Sequence, residues 1–263
     1  MRFFKKVLLV GAVLAGLLAA FFWFWMYPRY TVPVLMCHRF EEVVSAKDLL
    51  AISAGRFDAQ MAFLKKNGYR VITVDDLIDG IKAGRTFPHN TVAITVDDGY
   101  ADNYRVGYPV LKKYGFSAMI FLVADKIGTD PDFLTWTQAR EMAAHGISFG
   151  AHTRRHVYLP SIKDEATLVD EIAGGKAVIA QGLGMPVRVL CYPTGGYTPQ
   201  IQTLAKKSGY EAAFTTNRSR DRLNRSNMYE LTRVSLREND DAVSLFFKVS
   251  GYYNLFRKGK QGY

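Results

Sequence analysis

The feature that most constrains this chain is a junction written four times. Lys65-Lys66-Asn67-Gly68-Tyr69, Lys112-Lys113-Tyr114-Gly115-Phe116, Ala143-Ala144-His145-Gly146-Ile147 and Lys206-Lys207-Ser208-Gly209-Tyr210 share one grammar: a helix end with basic or His residues, a glycine, then an apolar residue. Cations complement the negative end of a helix, glycine takes the left-handed conformation just past it, and the apolar residue opens a strand. A chain that repeats this step feeds helices into strands, which implies a largely parallel sheet covered by helices.

The pattern predicts strands at Val34–Cys37, Tyr69–Val74, Val92–Val96, Phe116–Val123, Ile147–Ala151, Val187–Tyr192, Glu211–Thr215 and Leu231–Leu236. Helices are predicted near 57–67, 75–83, 103–114, 137–145, 164–181, 199–208 and 241–249, with Asp75, Thr135 and Thr198 as starts and Pro199 at a first helical position. Residues 41–54 read as a loop. Seven or eight such units within 263 residues favour one closed or distorted α/β barrel over an open doubly wound sheet. A hydrophobic fraction of 49% argues against disorder.

Ahead of this domain, Val7–Tyr27 runs 21 residues without a charge, roughly 31 Å of helix at about 1.5 Å per residue, enough to cross a bilayer. Phe21-Phe22-Trp23-Phe24-Trp25 and Tyr27 form an aromatic belt, and Lys5 and Lys6 precede the span with no acid nearby, which predicts a cytoplasmic N-terminus. A cleaved signal peptide is the alternative, although it lacks an Ala-x-Ala exit and normally has a shorter apolar core. The expected organisation is a cytoplasmic stub over 1–6, a signal anchor over 7–27, a domain over 31–249 on the periplasmic or extracellular side, and a basic tail over 250–263. Within the stretch Lys248–Tyr263, Lys248, Arg257, Lys258 and Lys260 stand without an acid beside Tyr252, Tyr253 and Phe256.

The formal charge is +10, but setting aside Arg2, Lys5, Lys6 and Arg29 from the 34 basic residues leaves a mild excess over the 24 acidic ones. With no dense basic helix or RNA-type aromatic motif, nucleic acid is not an expected partner. Cys37 and Cys191 are expected to be separate buried thiols.

In parallel α/β architectures ligands collect at the C-terminal ends of the strands. Collecting the polar residues there brings together His38, Asp97, Asp98, His152, His156 and the run Pro193-Thr194-Gly195-Gly196; His89 and His145 fall at other junctions. Adjacent carboxylates at the end of the apolar run Thr91–Val96 repel, and burial sharpens the repulsion, so they need a cation, a shared proton or donors. Two imidazoles four residues apart can hold one metal, and this pair lacks the glutamate of a His-Glu-x-x-His metalloprotease. Asp97-Asp98 supplies what is missing, one carboxylate as third ligand and the other as base.

Thr95-Val96-Asp97-Asp98-Gly99, His152-Thr153-x-x-His156 and Tyr192-Pro193-Thr194-Gly195 resemble the first three motifs of the polysaccharide deacetylases, the NodB-homology or family 4 carbohydrate esterases, in order and spacing over about residues 31–240. Val34-Leu35-Met36-Cys37-His38, Gly68-Tyr69 and Gly99-Tyr100 are similar, more narrowly, to the branch that de-N-acetylates poly-β-1,6-N-acetylglucosamine. The resemblance implies a distorted (β/α)7 barrel, a divalent ion held by Asp98, His152 and His156, Asp97 as general base and the Thr194 N–H as oxyanion donor. Zinc suits such a ligand set, as do nickel, cobalt and iron.

Two departures stand out. Leu231-Thr-Arg233 replaces the expected Leu-x-His, so His38 is expected to take the role of proton donor to the departing amine. Cys191 stands where relatives carry an arginine that pairs with the base; Arg233 is a candidate substitute, with a surface arginine as the alternative. Thr215-Thr216-Asn217 and the run Arg218–Arg225 are expected to form a loop at the same mouth, and Trp136 to be a packing residue. The expectation is a membrane-anchored, metal-dependent de-N-acetylase of N-acetylglucosamine-containing glycan. Deacetylation or deformylation of a lipid-linked sugar, and a non-catalytic glycan-binding module, are the alternatives.

Overall fold

The computed structural model of the chain describes residues 2–45, 47–219 and 221–256. Arg257, Lys258 and Lys260 of the expected basic tail, and Arg220 within the run 218–225, lie outside the described residues. Helix α1 (Arg2–Phe21) continues through irregular helical turns to Arg29. The stretch Phe3–Arg29 is long and apolar enough to cross a membrane, a property it shares with signal sequences, and its most apolar window is not buried against the rest of the chain.

Among the described residues ten strands follow: β1 (Val34–Cys37), β2 (Arg39–Glu41), β3 (Ala51–Ser53), β4 (Arg70–Ile72), β5 (Thr91–Val96), β6 (Ala118–Leu122), β7 (Ile147–Ala151), β8 (Val189–Cys191), β9 (Ala212–Phe214) and β10 (Val234–Ser235). Between and after them lie α2 (Ala54–Lys66), α3 (Val74–Ala83), α4 (Tyr108–Tyr114), α5 (Trp136–Ala144), α6 (Glu165–Val169), α7 (Gly175–Leu183), α8 (Pro199–Lys207) and α9 (Ala242–Val249). All four repeated junctions close as their sequence dictates, with Gly68, Gly115, Gly146 and Gly209 at φ of 70°, 67°, 90° and 77°.

The main sheet is parallel, in the order β10-β1-β5-β6-β7-β8-β9, with β4 paired to the first half of β5. Leu231 bridges Phe214 of β9 while Val234 pairs Leu35 of β1, so the short segment Leu231–Ser235 ties the two sides of a curled sheet. The result is the expected distorted barrel, a half-barrel curl rather than a fully closed cylinder. Alternation along the strands sorts side chains into two layers. Leu35, Ile94, Ile120, Leu190 and Ala213 pack outward beneath the helices. Val34, Ala93, Met119, Phe121, Val189 and Phe214 face the concave interior, where α3 adds Val74, Leu77 and Ile78. Arg188, just before β8, holds α3 through Asp75 at 3.0 Å and Asp79 at 2.6 Å.

Several boundaries differ from the expectation. Residues 41–54 are not simply a loop, because Phe40 pairs with Ile52 in the parallel β2–β3 pair and both side chains are buried. Thr73 rather than Asp75 caps α3, accepting the Asp76 N–H at 3.0 Å, which frees Asp75 for Arg188. Thr135 and Thr198 cap as predicted. The run 218–225 does not stay at the mouth: Arg222 donates to the Pro28 carbonyl at 2.7 Å and the Leu223 N–H to the Thr31 hydroxyl at 3.2 Å, both ahead of β1 at the opposite end of the sheet. Lys248 is no tail residue either, since it is 7% exposed and its Nζ lies 2.6 Å from the Asp240 carboxylate.

Candidate active site

Parity along β5 decides where the first acid points. Ala93 packs in the interior layer and the Thr95 hydroxyl donates across it to the Leu35 carbonyl at 2.9 Å, so Asp97, two residues on, continues the inward face. Its side chain is 2% exposed, and Arg233 meets it there: Nη1 donates to Oδ1 at 2.6 Å and Nη2 to Oδ2 at 2.7 Å, a two-pronged pair inside the barrel. The guanidinium also donates to Thr95 Oγ1 at 3.1 Å and Cys191 Sγ at 3.0 Å. Burial alone would raise the Asp97 carboxyl, and Arg233 overrides it, holding the group well below the usual carboxylate range.

Arg233 is therefore the residue that pairs with Asp97, reaching it from the closing segment and passing beside Cys191 of β8. A surface position is ruled out by its 3% exposure. Burial drives the Cys191 thiol well above its ordinary value, so it stays protonated beside the pair. His38 follows β1, with Nε2 3.7 Å from Asp97 Oδ2 and its carbonyl held by the Asn103 amide at 3.0 Å.

The second acid belongs to a different group. Asp98 Oδ1 lies 3.5 Å from His152 Nε2 and 3.3 Å from His156 Nε2, and this buried oxygen has no hydrogen-bond partner. His152 Nδ1 sits 2.7 Å from the Cys191 carbonyl, which can only accept, so the proton is on Nδ1 and the Nε2 lone pair faces Asp98. Burial lowers His152 to about 3 and also lowers His156, so both rings are neutral. Burial, then the neighbouring Asp97, raises Asp98 to about 6. One orphaned carboxylate oxygen beside the Nε2 atoms of two neutral imidazoles is a donor set that fits a divalent cation.

The backbone around these groups is strained. Asp98, Thr153, His156 and Thr194 take φ of 73°, 64°, 61° and 54°, the non-glycine left-handed residues among those described, and all lie in the site loops. Thr194 follows β8 in a tight turn tied to the β9 loop, where Thr216 Oγ1 donates to the Thr194 carbonyl at 2.8 Å and Thr215 Oγ1 to the Gly195 carbonyl at 2.7 Å. The structure thus brings His38, Asp97, Asp98, His152 and His156 together, with Thr194 on an adjoining loop. Cys37 and Cys191 are both buried and free, on opposite faces of the sheet. Trp136, half-buried against the core, packs on Gly128 and Gly182, as expected of a packing residue. Thr95, part of the same motif, has a positioning role that its sequence marks only faintly, as a hydroxyl in an apolar strand two residues before Asp97 and so on the same face.

The chain resembles known proteins in both sequence and fold. The family described as polysaccharide deacetylase matches residues 84–213. The chain is 35% identical over 206 residues to YxkH of Bacillus subtilis, provisionally named a polysaccharide deacetylase, covering 77% of this chain and 70% of that one. It is 25% identical over 210 residues to a poly-β-1,6-N-acetyl-D-glucosamine N-deacetylase of Staphylococcus aureus, covering 75% and 71%. Among solved structures, the Streptococcus pyogenes deacetylase PplD in complex with acetate is similar with a TM-score of 0.76 at 25% identity, covering 83% of this chain and 97% of that one. IcaB from Ammonifex degensii gives 0.73 at 25% identity, covering 84% and 97%.

Proposed function

The chain belongs to the polysaccharide deacetylase family, hydrolases of amide bonds, and from that premise we propose that it is a membrane-anchored, metal-dependent de-N-acetylase acting on N-acetylglucosamine polymer outside the cytoplasmic membrane. The anchor is residues 7–27, the catalytic domain 31–249. The observation that carries the reading is the separation of the two acids, one locked to Arg233 and the other aimed at two neutral histidines. The name of the Staphylococcus aureus relative supports a β-1,6-linked polymer as substrate.

Asp98, His152 and His156 would hold one divalent ion, zinc being the first choice and nickel, cobalt or iron compatible with the same ligands. Such an ion polarises an acyl carbonyl and makes water more acidic. Asp97, kept ionised by Arg233, accepts the proton of the attacking water. The Thr194 N–H donates to the oxyanion as the acyl carbon becomes tetrahedral. The C–N bond then breaks, and His38 hands a proton to the departing amine, leaving acetate and a free glucosamine.

The test is acetate release by the full chain from β-1,6 and β-1,4 N-acetylglucosamine oligomers, peptidoglycan and a lipid-linked sugar, with Asp97→Asn in parallel. Preferred turnover of the β-1,6 oligomer is expected, abolished in Asp97→Asn while metal content is retained. Turnover that survives the substitution removes Asp97 as the base.

A further inference from the structure

The loop that carries both histidines is held from behind by a carboxylate with no part in the chemistry above. Glu171 is 0% exposed. Its Oε2 accepts the N–H groups of Arg154 at 3.1 Å and Arg155 at 3.0 Å, the two amides midway between His152 and His156. Its Oε1 lies 2.7 Å from Arg155 Nε, completing an ion pair with a buried acid at its centre. A carboxylate taken wholly out of water is costly unless its lone pairs or its charge are met; here two loop amides meet Oε2, and Oε1, which accepts no hydrogen bond, is balanced by the charge of Arg155.

The loop needs such a partner, because it follows no regular path. Thr153 and His156 both hold left-handed backbone, at φ 64° and 61°. Glu171 itself stands on Asp170–Gly174, a π-helical turn between α6 and α7, an irregularity that recurs at functional sites. One step further the helix backbone presses on the loop: a Cβ on Gly175 would stand 2.8 Å from both Arg154 N and Thr153 C. Asp170, on the solvent side, pairs with the guanidinium groups of Arg154 and Arg155, but its carboxyl is 37% exposed, where water screens such pairs.

We propose that Glu171 is the positioning residue of the metal-binding loop, fixing the amides of Arg154 and Arg155 so that both imidazoles stay aimed at Asp98. The inference rests on the reading of Asp98, His152 and His156 as ligands. Partners behind the ligands of a metal set its affinity because they fix ligand orientation before the ion arrives.

Zinc affinity of the full chain in detergent, read by competition with a chromophoric chelator, tests this without recourse to activity. Glu171→Ala is expected to weaken zinc binding about 10–100-fold, the effect typical of such outer partners. Glu171→Gln, which keeps one oxygen for the two amides, should lose less. Gly175→Ala, a change that helix propensity favours, should also weaken binding because its methyl must displace the loop. Asp170→Asn should stay within a few-fold of the parent. Parent-like zinc affinity in Glu171→Ala, with only a lowered melting temperature, overturns the proposal; if that variant does not fold, parent-like affinity in both Glu171→Gln and Gly175→Ala does so. A parent chain that takes up no zinc refutes the metal reading beneath it, a distinguishable result.

Discussion

Replacing Arg233 by methionine removes the countercharge from a carboxylate that is 2% exposed while keeping the volume of the site roughly filled. Two charge-assisted hydrogen bonds, at 2.6 and 2.7 Å, disappear together. Breaking a buried pair from one side costs about 3–5 kcal/mol, which for a domain of this size is a fall in melting temperature on the order of 10 °C at neutral pH. The sign of the pH dependence also reverses. In the parent, the Asp97 carboxyl is depressed, so its contribution is present above the unfolded value of about 3.9 and lost as pH falls through the lower folded value. Without Arg233, burial is left as the largest influence and raises the folded value above about 3.9, so the variant becomes less stable as pH rises through that range.

The melting difference between parent and variant, followed on chelator-treated protein from pH 4 to 8, should therefore widen with pH. Turnover should follow. A base protonated at neutral pH loses roughly 10²–10⁴ in rate, and the acidic limb of kcat/KM should move upward, with partial recovery in alkali. Arg233→Lys, which keeps the charge but not the fork, should fall between the two. A variant whose acidic limb and melting difference both ignore pH would refute the claim that Arg233 sets the ionisation of Asp97.

Two further outcomes test the neighbouring groups. His38→Gln should lower kcat by roughly 10²–10⁴ through loss of the proton donor while zinc content stays at the parent level; a parent-like kcat returns that role to another residue. Gly195→Ala places a methyl 2.1 Å from Thr216 Oγ1 and 2.6 Å from Thr216 N at φ 83°, so a loss on the order of 1–3 kcal/mol is expected, seen as a lower denaturation midpoint, with kcat falling as the Thr194 turn shifts.

What the sequence revealed and what it concealed divide along the range of the forces involved. The junction glycines were legible because a helix end is a local event, decided within five residues. Asp97, Asp98, His152 and His156 were legible because strand ends in a parallel sheet gather on one side. Arg233 was legible only as one of two alternatives, because its place depends on Leu231 bridging β9 and Val234 pairing β1, a register set by distant strands. The run 218–225 misled for a related reason: a charged loop after β9 gives no local sign that the chain crosses back beneath β1. Lys248 read as a tail cation because its buried partner Asp240 lies eight residues back, just ahead of α9, with nothing local to mark the pairing. Glu171 had no signal at all, since a lone acid in a helix is ordinarily solvated.

The separation of the two acids finally rests on one turn. Successive residues of a strand point to opposite faces, so with Asp97 directed inward Asp98 would face the helix layer, away from the histidines. Left-handed backbone at Asp98, φ 73°, followed by Gly99 at φ 79°, redirects the second carboxylate to His152 and His156. Gly99→Ala tests this directly. The added methyl would lie 2.7 Å from Leu122 Cδ2 and 3.1 Å from Ile127 Cδ1 in a conformation that side chains resist, a strain on the order of 1–3 kcal/mol relieved by letting Asp98 relax toward extended backbone. Zinc affinity should fall while the Asp97–Arg233 pair, anchored on β5 and the closing segment, keeps the parent pH dependence of melting. If zinc affinity is retained, Asp98 reaches the histidines without the turn; if both properties fail together, the two acids are not independently held.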